Sequence, residues 1–222
     1  MSRARPPGIG MTSQRTRDRL MQWLREAGIS DERVLAAMAA VPRHALIDEA
    51  LAHRAYENVA LPIGHGQTIS QPLTVALMTQ TLLDVPRPRV LEVGTGSGYQ
   101  TAVLACMRPA VRRVFTIERI AMLSERAEAR LAALRIAGPR FRHGDGYGGW
   151  PEEGPFDGIL VTAAPPEVPE ALLAQLKTGG RLVVPVGDDE LQELRVIDRT
   201  DQGFITHTVE QVRFVPLLKG KR

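Results

Sequence analysis

A single cysteine in 222 residues, Cys106, leaves no partner for a disulfide within the chain and no set for a cysteine zinc site. It sits in an apolar helical run and is read as a packed core residue. Aromatic residues make up only 5% of the chain, and the arginines are scattered through helical segments instead of forming a basic block interleaved with aromatics. A formal charge of +3 and a pI of about 9.4 are mildly basic, but this distribution does not indicate a nucleic-acid surface. No apolar stretch approaches the length of a membrane span, and the basic N-terminus has no apolar segment behind it, so the expectation is a soluble cytoplasmic protein with no membrane partner. His143 and His207 have no partners at metal-ligand spacing and His65 stands between glycines, so no metal is expected.

What is present suits one globular domain: 44% hydrophobic and 24% charged residues over 222 positions. Residues 1–11 mix Arg, Pro and Gly without periodicity and read as a disordered lead-in, with Met11 a candidate start. Thr12 or Ser13 can cap a first helix with Leu20, Trp23, Leu24 and Ala27 on one face, ending at Gly28. A second helix from about Asp31 to Val41 stops before Pro42, and a third covers about Ala45 to Tyr56. In "HGQTISQPLTVALM" Pro72 suits the first helical position, and Leu73, Ala76, Leu77, Gln80 and Leu83 recur at helical spacing. Ser70 then falls just before the helix, where its hydroxyl is expected to act as a cap unless a neighbouring site claims it.

From Arg89 the pattern changes to short apolar runs alternating with helices: "RVLEVG", "YQTAVLACM", "RVFTIE", "MLSERAEARLAALRI", "RFRHGD", "FDGILVTAA", "VPEALLAQL" and "GRLVVPVG". Such alternation predicts βαβ units and a parallel sheet covered on both faces. "LQELRVIDRT" and "ITHTVEQVRFVPLL" flank Asp201-Gln202-Gly203, which predicts a closing antiparallel hairpin.

"VLEVGTGSGYQ" places Glu92, Gly94, Gly96 and Gly98, with Thr95 and Ser97 between them, at the carboxyl end of the first strand, where open α/β sheets bind ligands. A dinucleotide fingerprint would need a glycine where Tyr99 stands. Glu-x-Gly-x-Gly-x-Gly instead resembles the S-adenosylmethionine loop of class I methyltransferases. Glu118 ends the next strand twenty residues past Gly98, where a carboxylate can accept both ribose hydroxyls. The third strand closes on "HGDGYGGW", where Asp145 can accept from an adenine amino group and Gly146 leaves its N–H accessible. "VTAAPP" lacks the Asn/Asp-Pro-Pro-aromatic signature of amino-group methyltransferases, which disfavours an exocyclic base amine as acceptor.

"LPIGHGQTISQP", "VLEVGTGSGYQTAVLA", "GDGYGGW", "FDGILVTAAPPEVP", "GGRLVVPVG" and "VRFVPL" together resemble the protein-L-isoaspartate O-methyltransferase family, from about Arg15 to Lys219. Leu73 differs from the tyrosine of many members. The resemblance implies an α/β fold: a doubly wound, mostly parallel seven-stranded sheet, Rossmann-like, with N-terminal helices and a C-terminal antiparallel hairpin. Residues 12–222 would form one domain, with helices and substrate loop in 12–84, the cofactor-binding core in 85–187 and the hairpin in 188–222. The cofactor would be S-adenosyl-L-methionine, leaving as S-adenosyl-L-homocysteine, and the partners isoaspartyl-containing proteins and peptides met by a monomer. By the same resemblance Ser70 is catalytic, bonding the acceptor carboxylate. Ile63, His65, Gln67 and Thr68 belong to the substrate groove, and backbone groups around Val212, Phe214 and Val215 hold the peptide extended. RNA or a small acid remains the alternative acceptor.

Overall fold

The computed structural model describes residues 12–222; the expectation for residues 1–11 lies outside the described residues. Helix α1 (Gln14–Glu26) starts where the Ser13 hydroxyl accepts the Thr16 N–H. Its buried stripe is Arg17, Leu20, Met21 and Leu24. Trp23, expected on that face, is exposed, because the stripe is rotated toward Met21 and toward Arg17, whose guanidinium lies over the Tyr56 ring. Helix α2 (Glu32–Ala40), capped by Asp31, ends ahead of Pro42. The expected third helix is instead two 3₁₀ turns, Arg43–Leu46 and Glu49–Arg54. Ile47 is extended between them, and the Asp48 carboxylate takes the Ala50 N–H and starts a new turn, a local bond that competes with a continuous helix.

The substrate loop of the sequence analysis is a small hairpin, β1 (Leu61–Gly64) against β2 (Gln67–Ile69). Its tip, Gly64-His65-Gly66, has positive φ at all three residues, which only the glycines adopt without strain. Helix α3 (Pro72–Leu82) begins at Pro72 with Gln71 as N-cap and no side-chain cap, so Ser70 does not serve as the cap.

The central sheet runs β3 (Arg89–Val93), β4 (Arg113–Glu118), β5 (Arg140–His143), β6 (Phe156–Val161), β7 (Leu176–Gly187), β8 (Gln192–Thr200) and β9 (Gly203–Val212) in chain order. In space the order is β5-β4-β3-β6-β7-β8-β9. The five strands from β5 to β7 pair in parallel, and β8 and β9 pair antiparallel, as the predicted hairpin required. Helices α4 (Tyr99–Cys106), α5 (Ala121–Ala133) and α6 (Glu170–Ala174) fill the crossovers. Buried strand residues divide between the faces: Val90, Leu160 and Val183 join α1 to α5, and Leu91, Val93, Phe115, Ile159 and Leu182 meet Trp150 and Leu172. Cys106 is half-buried against the first cluster, not enclosed in it.

Gly98 opens α4 at φ +82°, and an added Cβ would lie 2.8 Å from Leu131 Cδ1 and 3.1 Å from Ala127 Cβ on α5. Gly98→Ala therefore lowers unfolding free energy by about 1–3 kcal/mol, combining left-handed strain with a forced shift of α5. Urea unfolding checks this; an unchanged midpoint contradicts the close α4–α5 contact.

Candidate active site

The register sets Val93 opposite Ile117 on one side and Val161 on the other, so β4, β3 and β6 end at one level. The chain beyond β3 stays tied to that rim. Gly94 N–H donates to Ile117 O at 2.8 Å, and Thr162 N–H donates to Val93 O at 2.9 Å. At Gly94 φ is +101° and an added Cβ would lie 2.4 Å from Thr162 Oγ1, a hydroxyl that donates to Gly94 O at 2.6 Å. Only glycine fits there.

The Glu118 carboxylate, 6% exposed, accepts Gly96 N–H and Ile120 N–H, each at 2.9 Å. Two bonds leave lone pairs to spare, and Glu118 lines the cleft above the loop. Below the loop a buried chain of hydroxyls runs Thr95 to Thr116 (2.5 Å) to Glu92 (2.8 Å), and Thr101 donates to the same Glu92 oxygen. Glu92 is fully buried and its other oxygen has no partner among the described residues. Burial pushes its carboxyl up to about 8, only partly opposed by the threonine hydrogen bonds. Of the residues expected to meet the cofactor, Gly94, Thr95, Gly96, Ser97, Glu118 and Gly146 line the cleft; Glu92 lies beneath the loop and Gly98 behind it. Asp145 holds the adjacent turn, accepting Tyr147 N–H at 2.9 Å and Gly220 N–H at 2.7 Å. Gly146 cannot carry a side chain, since its Cβ would lie 2.5 Å from Val93 Cγ1.

The cleft continues past these turns to Val75, Met78, Tyr99 and Gln100. A groove adjoins it, lined by Gln192, Val212, Phe214 and other residues, and the two share Thr68, Ser70, Thr162 and Val215. Ser70 Oγ bonds no described residue, whereas Ser70 O accepts Arg43 Nη2 at 2.7 Å. Thr68 and Gln67 reach the cleft, but His65 is at the exposed hairpin tip and Ile63 packs beneath Gly96; neither lines the cleft or the groove. The backbone reading for Val212 to Pro216 narrows. Gln192 occupies Phe214, its Oε1 accepting the N–H at 2.6 Å and its Nε2 donating to the C=O at 3.1 Å. Val215 O accepts Ala164 N–H, which leaves Val215 N–H without a partner among the described residues. Thr162, Gln192 and Arg43 were missed in the sequence because their partners are distant in the chain. Among the described residues no cluster of His, Cys, Asp and Glu could hold a metal ion, and no helix is long and apolar enough to cross a membrane.

The family model for protein-L-isoaspartate(D-aspartate) O-methyltransferase matches residues 15–222. A protein-L-isoaspartate O-methyltransferase of Halorhodospira halophila is 60% identical over 215 residues, 96% of each chain. One from Ectopseudomonas mendocina is 58% identical, covering 95% of this chain and 99% of the relative. Among solved structures, a candidate protein-L-isoaspartate O-methyltransferase from Plasmodium falciparum, in complex with S-adenosyl-L-homocysteine, is similar with a TM-score of 0.80 and 31% identity, over 92% of this chain and 99% of that one.

The Glu92 assignment predicts a pH effect. The unfolded carboxyl titrates near its ordinary 4.5 and the folded one near 8, so between them the folded chain holds a proton that the unfolded chain has lost. Stability contributed by neutral Glu92 is complete below the lower value and lost as pH rises toward the upper one. Glu92→Gln should thus gain stability relative to the parent between about pH 5.5 and about pH 8.5 in paired urea titrations. Parallel curves at both pH values would refute the protonated carboxyl.

Proposed function

The chain belongs to the protein-L-isoaspartate(D-aspartate) O-methyltransferase family, and from that premise we propose that Ser70 orients the carboxylate that this S-adenosylmethionine-dependent enzyme methylates. The reaction is transfer of a methyl group to the free carboxylate of damaged aspartyl residues in proteins, the α-carboxylate of an isoaspartyl residue or the side-chain carboxylate of a D-aspartyl residue. The ester then closes spontaneously to a succinimide with loss of methanol, and hydrolysis of the ring gives normal aspartate in part. The observation carrying the assignment of Ser70 is its place where cleft and groove meet, with its hydroxyl not committed to a cap.

The cleft suits the cofactor. Backbone forms its floor at Gly94 and Gly146, where no Cβ fits, and Glu118 presents acceptor capacity toward it. Glu118 would take the ribose hydroxyls, Asp145 and Gly146 the adenine end, and Gly94, Thr95, Gly96 and Ser97 the methionine end. When bound, S-adenosylmethionine supplies an electrophilic methyl group whose sulfur leaves as a neutral thioether without acid assistance.

The acceptor needs no base, since an α-carboxyl of pKa about 3.5 is ionised at neutral pH. Ser70 donates to one carboxylate oxygen and leaves the other to attack. A neutral hydroxyl worth about 1 kcal/mol net holds the acceptor without quenching its nucleophilicity. Val215 N–H, on the wall shared by both cavities, is the backbone donor we assign to the extended substrate. Alignment of the two reactants and exclusion of water from the carboxylate then supply most of the acceleration, roughly 7–11 kcal/mol for well-oriented partners. Residues 12–222 act as one methyltransferase domain in this scheme, working as a cytoplasmic monomer.

Ser70→Ala is expected to bind S-adenosylmethionine as the parent does and to lose most turnover on an isoaspartyl peptide, about tenfold or more. Steady-state kinetics beside calorimetric cofactor binding checks it; parental turnover in the variant would remove Ser70 from the mechanism.

A further inference from the structure

Arg43 is a fully buried guanidinium with no carboxylate partner among the described residues. Its Nε donates to Ala55 O at 2.8 Å and its Nη2 to Ser70 O at 2.7 Å. The guanidinium carbon stands 4.7 Å from the centroid of the Tyr99 ring, and Nη1 has no hydrogen-bond partner among the described residues. Burial lowers its pKa to about 10, so it remains a cation at neutral pH. Enclosing an uncompensated charge is expensive, and an apolar residue of similar volume is often neutral or stabilising in such a place. Stability of the fold alone does not account for the residue.

Its partners do. Ser70 lies between β2 and α3, and its carbonyl belongs to neither ladder: the first bond of α3 runs from Val75 N–H to Gln71 O. Pro72 holds Gln71 extended, at φ −60° and ψ 148°, but leaves the Ser70 peptide plane unfixed. The charged bond to Ser70 O fixes that plane and with it the direction of the Cα–Cβ bond. The planar fork sets this carbonyl against Ala55, while the guanidinium faces Tyr99, the first residue of α4 and part of the cleft wall. One rigid group therefore ties Ser70 to the element that follows the glycine loop.

We propose that Arg43 is a positioning residue for methyl transfer, aiming the Ser70 hydroxyl by holding the Ser70 carbonyl against the α4 end of the cofactor cleft. This rests on the acceptor-orienting role of Ser70. Lysine cannot replace it fully, because an ammonium lacks the fork that spans two carbonyls and stacks weakly on the ring.

The test is a double-mutant cycle, with Arg43→Met and Arg43→Lys made in the parent and in Ser70→Ala, reading kcat, peptide KM, S-adenosylmethionine Kd and thermal midpoint. Arg43→Met should stay folded and keep cofactor affinity within about threefold, with peptide KM little changed and kcat lower by about 10- to 100-fold. Arg43→Lys should fall between it and the parent. In Ser70→Ala, adding Arg43→Met should lower kcat by less than about threefold further, because the hydroxyl it aims is gone. Parental kcat in the folded variants, or the full loss repeated in Ser70→Ala, overturns the proposal. If Arg43→Met does not fold, Arg43→Lys decides; failure of both to fold would make Arg43 a stability residue and overturn it as well. Parental turnover in Ser70→Ala alone would show instead that the acceptor assignment fails, and the role of Arg43 falls with it.

Discussion

The parallel pairing of β3 between β4 and β6 is the constraint on which the site depends. With Val93 level with Ile117 and Val161, the turns after three strands leave the sheet at one height. They then crowd one another, and each side chain at the rim answers to that crowding. Gly94 has no Cβ because Thr162 Oγ1 stands in its place, and Gly146 has none because of Val93. Glu118 reaches across to Gly96 N–H, so the strand carrying the carboxylate proposed for the ribose also fixes the loop proposed for the methionine end.

Two buried ionisable residues support this rim from behind without meeting each other. Glu92 gathers Thr101, Thr116 and, through Thr116, Thr95 beneath the glycine loop. Arg43 gathers Ala55 and Ser70 beneath the acceptor side and faces Tyr99. Neither has an opposite charge bonded to it among the described residues, and each has one polar atom without a hydrogen-bond partner there. The groups proposed to meet the reactants, the Ser70 hydroxyl and Val215 N–H, have no hydrogen-bond partner among the described residues. Polar groups in the interior hold the frame while those at the surface of the site stay available, an arrangement that suits a reaction needing alignment more than acid–base chemistry.

The parallel core was legible because strands buried on both faces read as continuous apolar runs separated by amphipathic helices. The turn chemistry at Gly94, Gly96 and Gly146 was legible for a similar local reason. Elements fixed by distant partners were not. Segment 45–56 has a helical pattern, yet Asp48 caps its own turn and breaks it. The β1–β2 hairpin has strands of four and three residues, too short to show alternation. Within the glycine motif, spacing did not reveal that Glu92 faces downward and Gly98 faces α5. Ser70 had the sequence position of a helix cap; the family resemblance set it apart from that role, and the structure makes Gln71 the N-cap and leaves Ser70 where cleft and groove meet. Gln192, whose amide holds Phe214, looks like any polar residue on a strand.

The most direct test of the whole account is methyl transfer from labelled S-adenosylmethionine to two peptides of one sequence, differing only in an isoaspartyl or a normal aspartyl linkage. Base-labile label on the isoaspartyl peptide alone is the result predicted for an acceptor carboxylate aligned at Ser70. Equal label on both peptides, or none on either while the cofactor is bound, would contradict it.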